Sequence, residues 1–214
     1  RNIADVDFCH RVHRDSYDVW QIFGAGQMRE REAHTGVSLL EAEADSLNDF
    51  KLALQDAFRV AAEADFGHPL EETIPSDEDF EQSVTAAGAA AYWILADGER
   101  VGGVVVVINP ASGRSSLSFF FIATRLQSRG LGLSAWQAIE EKFAGTKVWE
   151  TVTPYFEKRN IHFYVNRCGF KIVEFYNRHH PDPHQRSAQH HDEGECDEMF
   201  RFEKEMNPRP GFSD

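Results

Sequence analysis

A glycine-rich stretch near the middle of the chain, TRLQSRGLGLSAW at residues 124–136, has the composition of an anion site. Gly130 and Gly132 flank a leucine, and Gln127 and Arg129 stand just before them. Glycine disfavours the start of a helix unless something must approach the backbone closely. The free N–H groups at a helix N-terminus attract anions, and the helix dipole adds to this attraction. The stretch therefore predicts a turn that binds a phosphate group.

One phosphate-binding motif that this stretch matches is GxGxxA, over residues 130–135, with Glu150 at about the spacing that a dinucleotide site requires. The context of the motif disagrees. In a dinucleotide fold the strand turns directly into the glycines, whereas here the seven residues ATRLQSR intervene after the preceding apolar run. Too few parallel units follow to build a dinucleotide crevice. Dinucleotide binding is therefore the weaker alternative.

Hydrophobic periodicity and turn residues predict the elements that position the turn. The strands are predicted in GVSLLEAEA, in the two arms of AAYWILADGERVGGVVVVINP, and in SSLSFFFIAT, TKVWETVT, FKIVEFY and EMFRFEKEM. Asp97-Gly98 predicts a tight hairpin between the two arms. Helices are predicted after Asp45 or Ser46, after Ser76, after the glycine turn, and in KRNIHFYVNRCGF up to Gly169. This order predicts an α/β fold of three layers, with a central mixed, largely antiparallel sheet between helices.

Composition restricts the classes of protein to which the chain can belong. It has 214 residues and a formal net charge of −13, which argues against a nucleic-acid partner. No apolar run approaches the roughly 20 residues of a membrane span, and residues 1–20 contain no apolar signal core. The cysteines Cys9, Cys168 and Cys196 are widely spaced, as in a reduced compartment. We therefore expect a cytoplasmic protein without a membrane or nucleic-acid partner.

The chain divides by composition into an extension and a domain. Residues 1–35 are predicted to be a helical extension, because their apolar residues have mixed helical spacing interrupted by glycines. Residues 36–214 are predicted to form the domain. Within it, residues 177–197 are rich in polar residues, histidine and proline, and predict a long loop.

Counted from Gln127, the glycine-rich stretch has the pattern Q-x-x-G-x-G, which resembles the pyrophosphate loop of the GNAT superfamily of N-acetyltransferases. FYVNRCGF at residues 163–170 is similar to the tyrosine-containing helix of that family, which is followed by Gly-Phe. The order of elements from Val37 to Met206 agrees as well. The resemblance implies the acyl-CoA N-acyltransferase fold and acetyl-CoA as co-substrate. It also implies transfer of the acetyl group, by direct attack, to a primary amine of a small molecule or peptide.

The resemblance implies two sets of cofactor contacts. Backbone groups at the end of the fourth core strand would contact the pantetheine arm of acetyl-CoA, which places Phe120, Phe121 and Ile122 in the site. The pyrophosphate would bind the turn and the helix start, formed by Gln127, Ser128, Arg129, Gly130, Leu131, Gly132 and Leu133. Asn160 would hydrogen-bond the pantetheine, and Phe163 would also contact the cofactor.

Tyr164 is the residue that the resemblance implies as the proton donor to the departing thiolate. A phenol suits this role because it is neutral at pH 7 and can release a proton as negative charge develops on sulfur. The family's usual spacing would place Val165 at the tyrosine position. On a regular helix Tyr164 would then point about 100° away. Tyr164 as a packing residue is therefore the alternative, unless the helix is irregular.

Glu150 is the nearest candidate for the base that takes a proton from the amine. Many family members carry a glutamate on the strand before the pyrophosphate loop, but here SLSFFFIAT contains no carboxylate. Glu150 stands instead in the next strand, KVWETV, where an unpaired buried carboxylate would be costly. A solvent-facing position is the alternative interpretation, and the residues alone leave both open.

The remaining reactive side chains are predicted to have no catalytic role. The histidines between residues 179 and 191 lack an HExxH pattern, and Pro181 and Pro183 break any helix there, so no metal is expected. Cys168 precedes Gly169 in a packed helix and is predicted to be a buried, inert thiol.

Two functions remain open from the sequence. The first is N-acetylation, for which the acidic composition favours a cationic amine. The second is a non-catalytic module on the same fold that binds acyl-CoA or a partner protein. The sequence also leaves a homodimer open.

Overall fold

Seven strands form one mixed sheet in a computed structural model of the chain, which describes residues 36–126, 130–183 and 198–206. The predicted extension at residues 1–35 and most of the predicted loop at 177–197 lie outside the described residues. The strands are β1 (Val37–Glu41), β2 (Ala89–Ala96), β3 (Glu99–Val107), β4 (Arg114–Ile122), β5 (Val148–Pro154), β6 (Lys171–Tyr176) and β7 (Met199–Glu205).

The strands lie in the order β1-β2-β3-β4-β5-β7-β6. Neighbouring strands are antiparallel except β4 and β5, which are parallel. The helices are α1 (Leu47–Phe66), α2 (Asp77–Thr85), α3 (Leu131–Lys142) and α4 (Lys158–His162), and a π-helix at Phe163–Cys168 continues α4. This architecture confirms the predicted fold class.

Local sequence signals explain where several elements begin and turn. The Ser76 hydroxyl accepts a hydrogen bond of 3.1 Å from the Asp79 backbone N–H and caps α2 as predicted. Asp97 and Gly98 have φ angles of 52° and 81°, the left-handed pair that a tight β2–β3 hairpin requires. The predicted hairpin is therefore confirmed.

Two hydrophobic layers hold the sheet between the helices. On one face, Phe50 of α1 lies in a core cluster with Val105 and Phe121. A side chain at Gly103 would meet the Phe50 ring at 2.5 Å, so glycine lets α1 approach the sheet. On the other face, Trp136 of α3 packs edge-on against Trp149 of β5, with ring centroids 5.4 Å apart.

Among the described residues, no helix is both long enough and apolar enough to cross a membrane.

Candidate active site

β4 and β5 diverge after a short parallel contact, and this split is the centre of the candidate site. Their register contains three residue pairs, the last of which joins Ser116 to Glu150. A bulge follows in β4, because Val105 pairs with Phe119 and Val106 with Leu117, which leaves Ser118 without a partner in β3. Beyond this point β4 and β5 separate and leave an opening in the sheet.

The end of β4 borders this opening, but its predicted cofactor residues differ in orientation. The Phe121 carbonyl lies against β3, since a side chain added at Gly102 would meet it at 2.1 Å. Because backbone groups alternate along a strand, those of Phe120 and Ile122 turn towards the side that β5 has left. The Phe121 side chain packs on the face of the sheet that α1 covers, and its ring centroid lies 5.5 Å from that of Phe50. The geometry therefore favours Phe120 and Ile122 over Phe121 as backbone contacts to a ligand in the split.

The glycine turn opens α3 as predicted. Gly130 has a φ angle of 83° and directly precedes Leu131, the first residue of the helix. The Ser134 N–H donates to the Gly130 carbonyl at 3.2 Å, and the backbone N–H groups before it belong to the helix start. The Leu131 side chain is buried in the core and Leu133 is half-buried, so these two residues offer a ligand their backbone. Gln127, Ser128 and Arg129 lie outside the described residues.

Gly132 has a packing reason to be glycine. A side chain at this position would come within 3.2 Å of the Phe163 ring and 4.0 Å of the Phe120 ring. The two phenylalanine rings are stacked, with centroids 5.7 Å apart and planes at 14°. The start of α3, the end of β4 and the π-helix therefore meet at these three residues. The sequence alone suggested only that a glycine here admits a phosphate.

The π-helix resolves the spacing of Tyr164. The Tyr164 carbonyl accepts hydrogen bonds from the backbone N–H groups of both Gly169 and Phe170, so the last turn contains more residues than an α-helical turn. The additional residue is accommodated in this wide turn. As a result Tyr164 is buried, with 7% of its surface exposed, whereas Val165 is half-buried. The helix is therefore irregular, which is the condition under which Tyr164 can serve as the acid, and that role stays a prediction.

Tyr164 lies beside Thr151, the first residue of β5 beyond its parallel contact with β4. The Thr151 hydroxyl donates to the Leu117 carbonyl at 3.0 Å. The rings of Phe163, Phe170 and Phe202 surround the tyrosine ring at centroid distances of 5.5, 5.5 and 5.6 Å.

Burial raises the pKa of Tyr164 well above its ordinary value. The nearby ionisable groups of Cys168 and Glu157 also raise it, and the hydrogen bond from Thr151 lowers it. The phenol is therefore fully protonated at neutral pH. Sequence reasoning missed Thr151, although the alternation of β5 places it on the same face as the buried Trp149.

Asn160 lies in α4, one turn before Tyr164, and is half-buried. Its side chain makes no hydrogen bond to any residue in the described part of the chain. Its backbone carbonyl accepts from the Phe163 N–H. The amide is thus available to a ligand, in accordance with its predicted role.

Glu150 has a different environment from its neighbour Thr151. Because side chains alternate along a strand, the two point to opposite faces of the sheet. The Glu150 carboxylate accepts a hydrogen bond of 2.8 Å from the Arg114 Nε and lies 3.6 Å from Arg201. Glu203 pairs with the same two arginines. These ion pairs support the solvent-facing interpretation of Glu150 rather than that of a base.

Neither the described histidines of the 177–197 loop nor Cys168 forms a reactive site within the described residues. His179 and His180 are exposed, and His184, His190 and His191 lie outside the described residues, as does Cys196. Within residues 36–126, 130–183 and 198–206, no group of three His, Cys, Asp or Glu side chains could hold a metal ion. Burial raises the pKa of the Cys168 thiol to about 12, which accords with a buried, unreactive cysteine.

Comparison with known proteins places this geometry in a family. The sequence pattern of the acetyltransferase (GNAT) family matches residues 53–170, which include the end of β4, the glycine turn and Tyr164. An uncharacterised protein of Bacillus subtilis, YrkN, is 48% identical over 171 residues, or 78% of this chain and 92% of YrkN.

Solved structures agree with the sequence match. An acetyltransferase from Bacillus subtilis in complex with CoA is 20% identical, with a TM-score of 0.54 over 80% of this chain and 99% of that chain. The ribosomal-protein-S18-alanine N-acetyltransferase of Escherichia coli is 12% identical, with a TM-score of 0.56 over 83% and 99% of the two chains. The chain belongs to the GNAT acetyltransferase family.

Proposed function

We propose that this protein transfers the acetyl group of acetyl-CoA to a primary amine of a small molecule or peptide. The surroundings of Tyr164 carry this proposal: the residue is buried beside Thr151 of β5, and its ring packs on Phe163, which stacks on Phe120 at the end of β4. A neutral phenol at that point can protonate a leaving group held between the strands.

The described residues fit the cofactor. The N-terminus of α3, preceded by Gly130, offers backbone N–H groups to a pyrophosphate. The backbone of Phe120 and the side-chain amide of Asn160 can hydrogen-bond the pantetheine amides. The stacked rings of Phe120 and Phe163 provide an apolar wall between these polar contacts. When bound, acetyl-CoA supplies an activated acetyl thioester.

The transfer balances with Tyr164 as the acid. The amine nitrogen attacks the thioester carbonyl carbon, and a carbon–nitrogen bond replaces the carbon–sulfur bond. The electron pair of the broken bond stays on sulfur, which takes the Tyr164 proton. A cationic amine first loses one proton to water, which frees the nitrogen lone pair for the attack. The second proton, which the nitrogen loses after the attack, also passes to water, and water restores the proton of Tyr164. This route does not require Glu150, whose carboxylate is held by Arg114.

The acceptor that we propose is a cationic amine. The net charge of −13 attracts cations to the protein surface. An enzyme of the same fold is named as an N-acetyltransferase for an alanine of ribosomal protein S18. A polyamine, an aminoglycoside and a peptide with a free N-terminus therefore form the first panel of acceptors.

Titration calorimetry with acetyl-CoA, followed by an assay for free CoA thiol against this panel, tests the proposal. We expect acetyl-CoA to bind and at least one amine to release thiol, with no binding of NAD. Binding without turnover on any amine would support the non-catalytic acyl-CoA module instead. Binding of NAD but not of CoA would contradict the family's cofactor site in this chain.

A further inference from the structure

We infer that Lys204 is a positioning residue, which holds the π-helix that carries Tyr164 in a fixed place relative to α3. This inference rests on the proposed acetyl transfer, in which Tyr164 is the acid and the start of α3 binds the pyrophosphate. Lys204 belongs to neither the glycine turn nor the tyrosine-containing stretch.

The Lys204 ammonium contacts two helices from its place on β7. Its Nζ donates a hydrogen bond of 2.5 Å to the carbonyl of Cys168, the last residue of the π-helix. The same Nζ lies 2.5 Å from the Glu140 Oε1 in α3. It also lies over the Trp136 ring, 5.6 Å from the ring centroid. One cation therefore joins β7, the π-helix and α3.

The end of the π-helix is a place where a cation is favourable. The last carbonyls of a helix have no partner within it, and the helix dipole leaves partial negative charge there. Lys204 lies against the following residue as well, because a side chain added at Gly169 would meet its Cε at 3.9 Å. Lys204 thus supports the wide turn in which the Tyr164 carbonyl accepts two hydrogen bonds.

The contact with α3 is an ion pair that water screens little. The side chains of Lys204 and Glu140 are 21% and 19% exposed, and the Glu140 Oε1 itself is buried. In the part of the chain that the structure describes, Lys204 is the one cation paired with Glu140. Removing one partner of such a pair leaves a buried charge without compensation, which is strongly unfavourable. We therefore expect the end of α3 to move if Lys204 loses its charge.

The two helices that Lys204 joins have complementary tasks in the proposed reaction. The start of α3 sets where the cofactor lies, and the π-helix sets where the phenol lies. Phe202, two residues before Lys204 on the same face of β7, packs against the Tyr164 ring with centroids 5.6 Å apart. A displacement of about 1 Å between reacting groups can cost up to about 10²-fold in rate. Lys204 therefore acts on the rate through the distance between sulfur and phenol.

Lys204→Met removes the charge and keeps most of the side-chain length. We expect kcat for acetyl transfer to fall by about tenfold or more, because the phenol is no longer held beside the sulfur. The Kd for acetyl-CoA should change by less than about threefold, because the backbone N–H groups at the start of α3 remain. Lys204→Arg keeps a cation and should retain most of the activity. A wild-type kcat in Lys204→Met would overturn the inference.

Lys51→Met is the matched control. The Lys51 Nζ lies 2.8 Å from the Asp77 Oδ2 and joins α1 to α2, and its side chain is 17% exposed. α1 covers the other face of the sheet, so this variant should lose stability in urea but keep kcat within about twofold. An equal loss of kcat in Lys51→Met and Lys204→Met would overturn the inference.

A double variant separates positioning from stability. In Glu140→Leu/Lys204→Met no carboxylate is left without its cation, so the urea midpoint should be higher than in Lys204→Met alone. The Cys168 carbonyl still lacks its donor, so kcat should remain about tenfold or more below the wild type. A kcat that recovers together with the urea midpoint would show a role in stability alone and would overturn the inference.

Hydrogen exchange of the free protein tests the same contact without an activity assay. The amide protons of Gly169 and Phe170 bond to the Tyr164 carbonyl and report directly on the wide turn. In Lys204→Met they should exchange about tenfold faster or more, whereas the amides of β2 and β3 change less. In Lys51→Met they should exchange as in the wild type. Unchanged exchange of these two amides in Lys204→Met would overturn the inference.

The outcomes distinguish the two proposals. If the wild-type protein releases no thiol with any amine, the proposed function fails, and the effect of Lys204 on the rate fails with it. If the wild-type protein is active and Lys204→Met is equally active, only the role of Lys204 fails.

Discussion

The two faces of β5 carry polar side chains of different kinds. On one face, the uncharged side chain of Thr151 is buried beside Tyr164, and its hydroxyl donates to the Leu117 carbonyl. On the other face, Glu150 and its partners form ion pairs that are partly open to water. Two adjacent residues of β5 thus have opposite environments: Thr151 is buried among uncharged groups, and Glu150 lies in a partly solvated network of charges.

This difference indicates on which face of β5 a conservative substitution should have a large effect. A hydrogen bond in a buried site gains strength from the low local dielectric, and its loss leaves an unpaired polar group. Exposed ion pairs are screened by water and salt, and each contributes little to stability. We therefore expect substitutions on the Tyr164 face to affect catalysis and those on the Glu150 face to have small effects.

The largest effect is expected for Tyr164→Phe. It should lower kcat and kcat/KM together by about 10²–10⁴-fold, the usual contribution of general acid catalysis. Phenylalanine keeps the ring contacts with Phe170 and Phe202, so acetyl-CoA affinity should hold. Steady-state kinetics and calorimetry measure the two quantities. Turnover near the wild-type rate would leave Tyr164 as a packing residue and move the proton donor elsewhere.

Gly130→Ala should weaken acetyl-CoA binding through the backbone of the turn. Gly130 has a φ angle of 83°, and nothing lies within 4 Å of an added side chain, so the cost is conformational strain. The turn would relax and displace the N–H groups to which we propose that the pyrophosphate binds. We expect at least a tenfold higher Kd, which calorimetry measures.

Gly67→Ala provides the control for this strain. Gly67 ends α1 with a φ angle of 74° and also has nothing within 4 Å. It should cost about as much stability, on the order of 1–2 kcal/mol, without any change in Kd. Equal Kd values for both variants would place the pyrophosphate away from Gly130.

Glu150→Gln distinguishes the two interpretations of that residue. If Glu150 only pairs with Arg114 and Arg201, the free energy of unfolding should fall by about 0–1 kcal/mol and kcat should change less than twofold. If Glu150 is the base for the amine, kcat should fall by about 10²-fold or more, most strongly at low pH. A pH–rate profile of the variant beside the wild type decides between these outcomes.

The smallest effect is expected for Glu174 and appears in acid. Hydrogen bonds from His180 and Arg201 lower the pKa of Glu174 below its ordinary value of 4.5. A carboxyl group whose folded-state pKa is lowered adds stability above the unfolded pKa, and this stability is lost as pH falls through the folded pKa. The difference in urea midpoint between wild type and Glu174→Gln should therefore be present at pH 7 and shrink below about pH 4.5. A difference that grows in acid would contradict this sign.

Most of the fold could be predicted from the sequence because its signals are local. The cap at Ser76 and the Asp97-Gly98 turn depend on a few neighbouring residues, and both occur where the residues indicate. Apolar residues marked the strands, and the strands β2, β3, β4 and β5 bury residues on one or both faces.

The site was less predictable because its contacts join distant residues. Thr151 lies beside Tyr164 and Leu117, which are 13 and 34 residues away in the sequence. No short sequence motif predicts such a contact. The partners of Glu150 come from β4 and β7. Whether Glu150 is isolated or paired depends on strand order, which residue types do not reveal. The packing of Gly132 against Phe163 is likewise a tertiary contact.

The π-helix between Phe163 and Cys168 has a consequence for how relatives of this chain are aligned. A comparison that allows no gap between the tyrosine and Gly169-Phe170 pairs Val165 with the phenol of other family members. If Tyr164 is the acid that we propose, the matching alignment opens a one-residue gap after Tyr164, inside a helix, where alignment methods usually penalise gaps most. Without this gap, chains that share FYVNRCGF would be scored as lacking a tyrosine at that position.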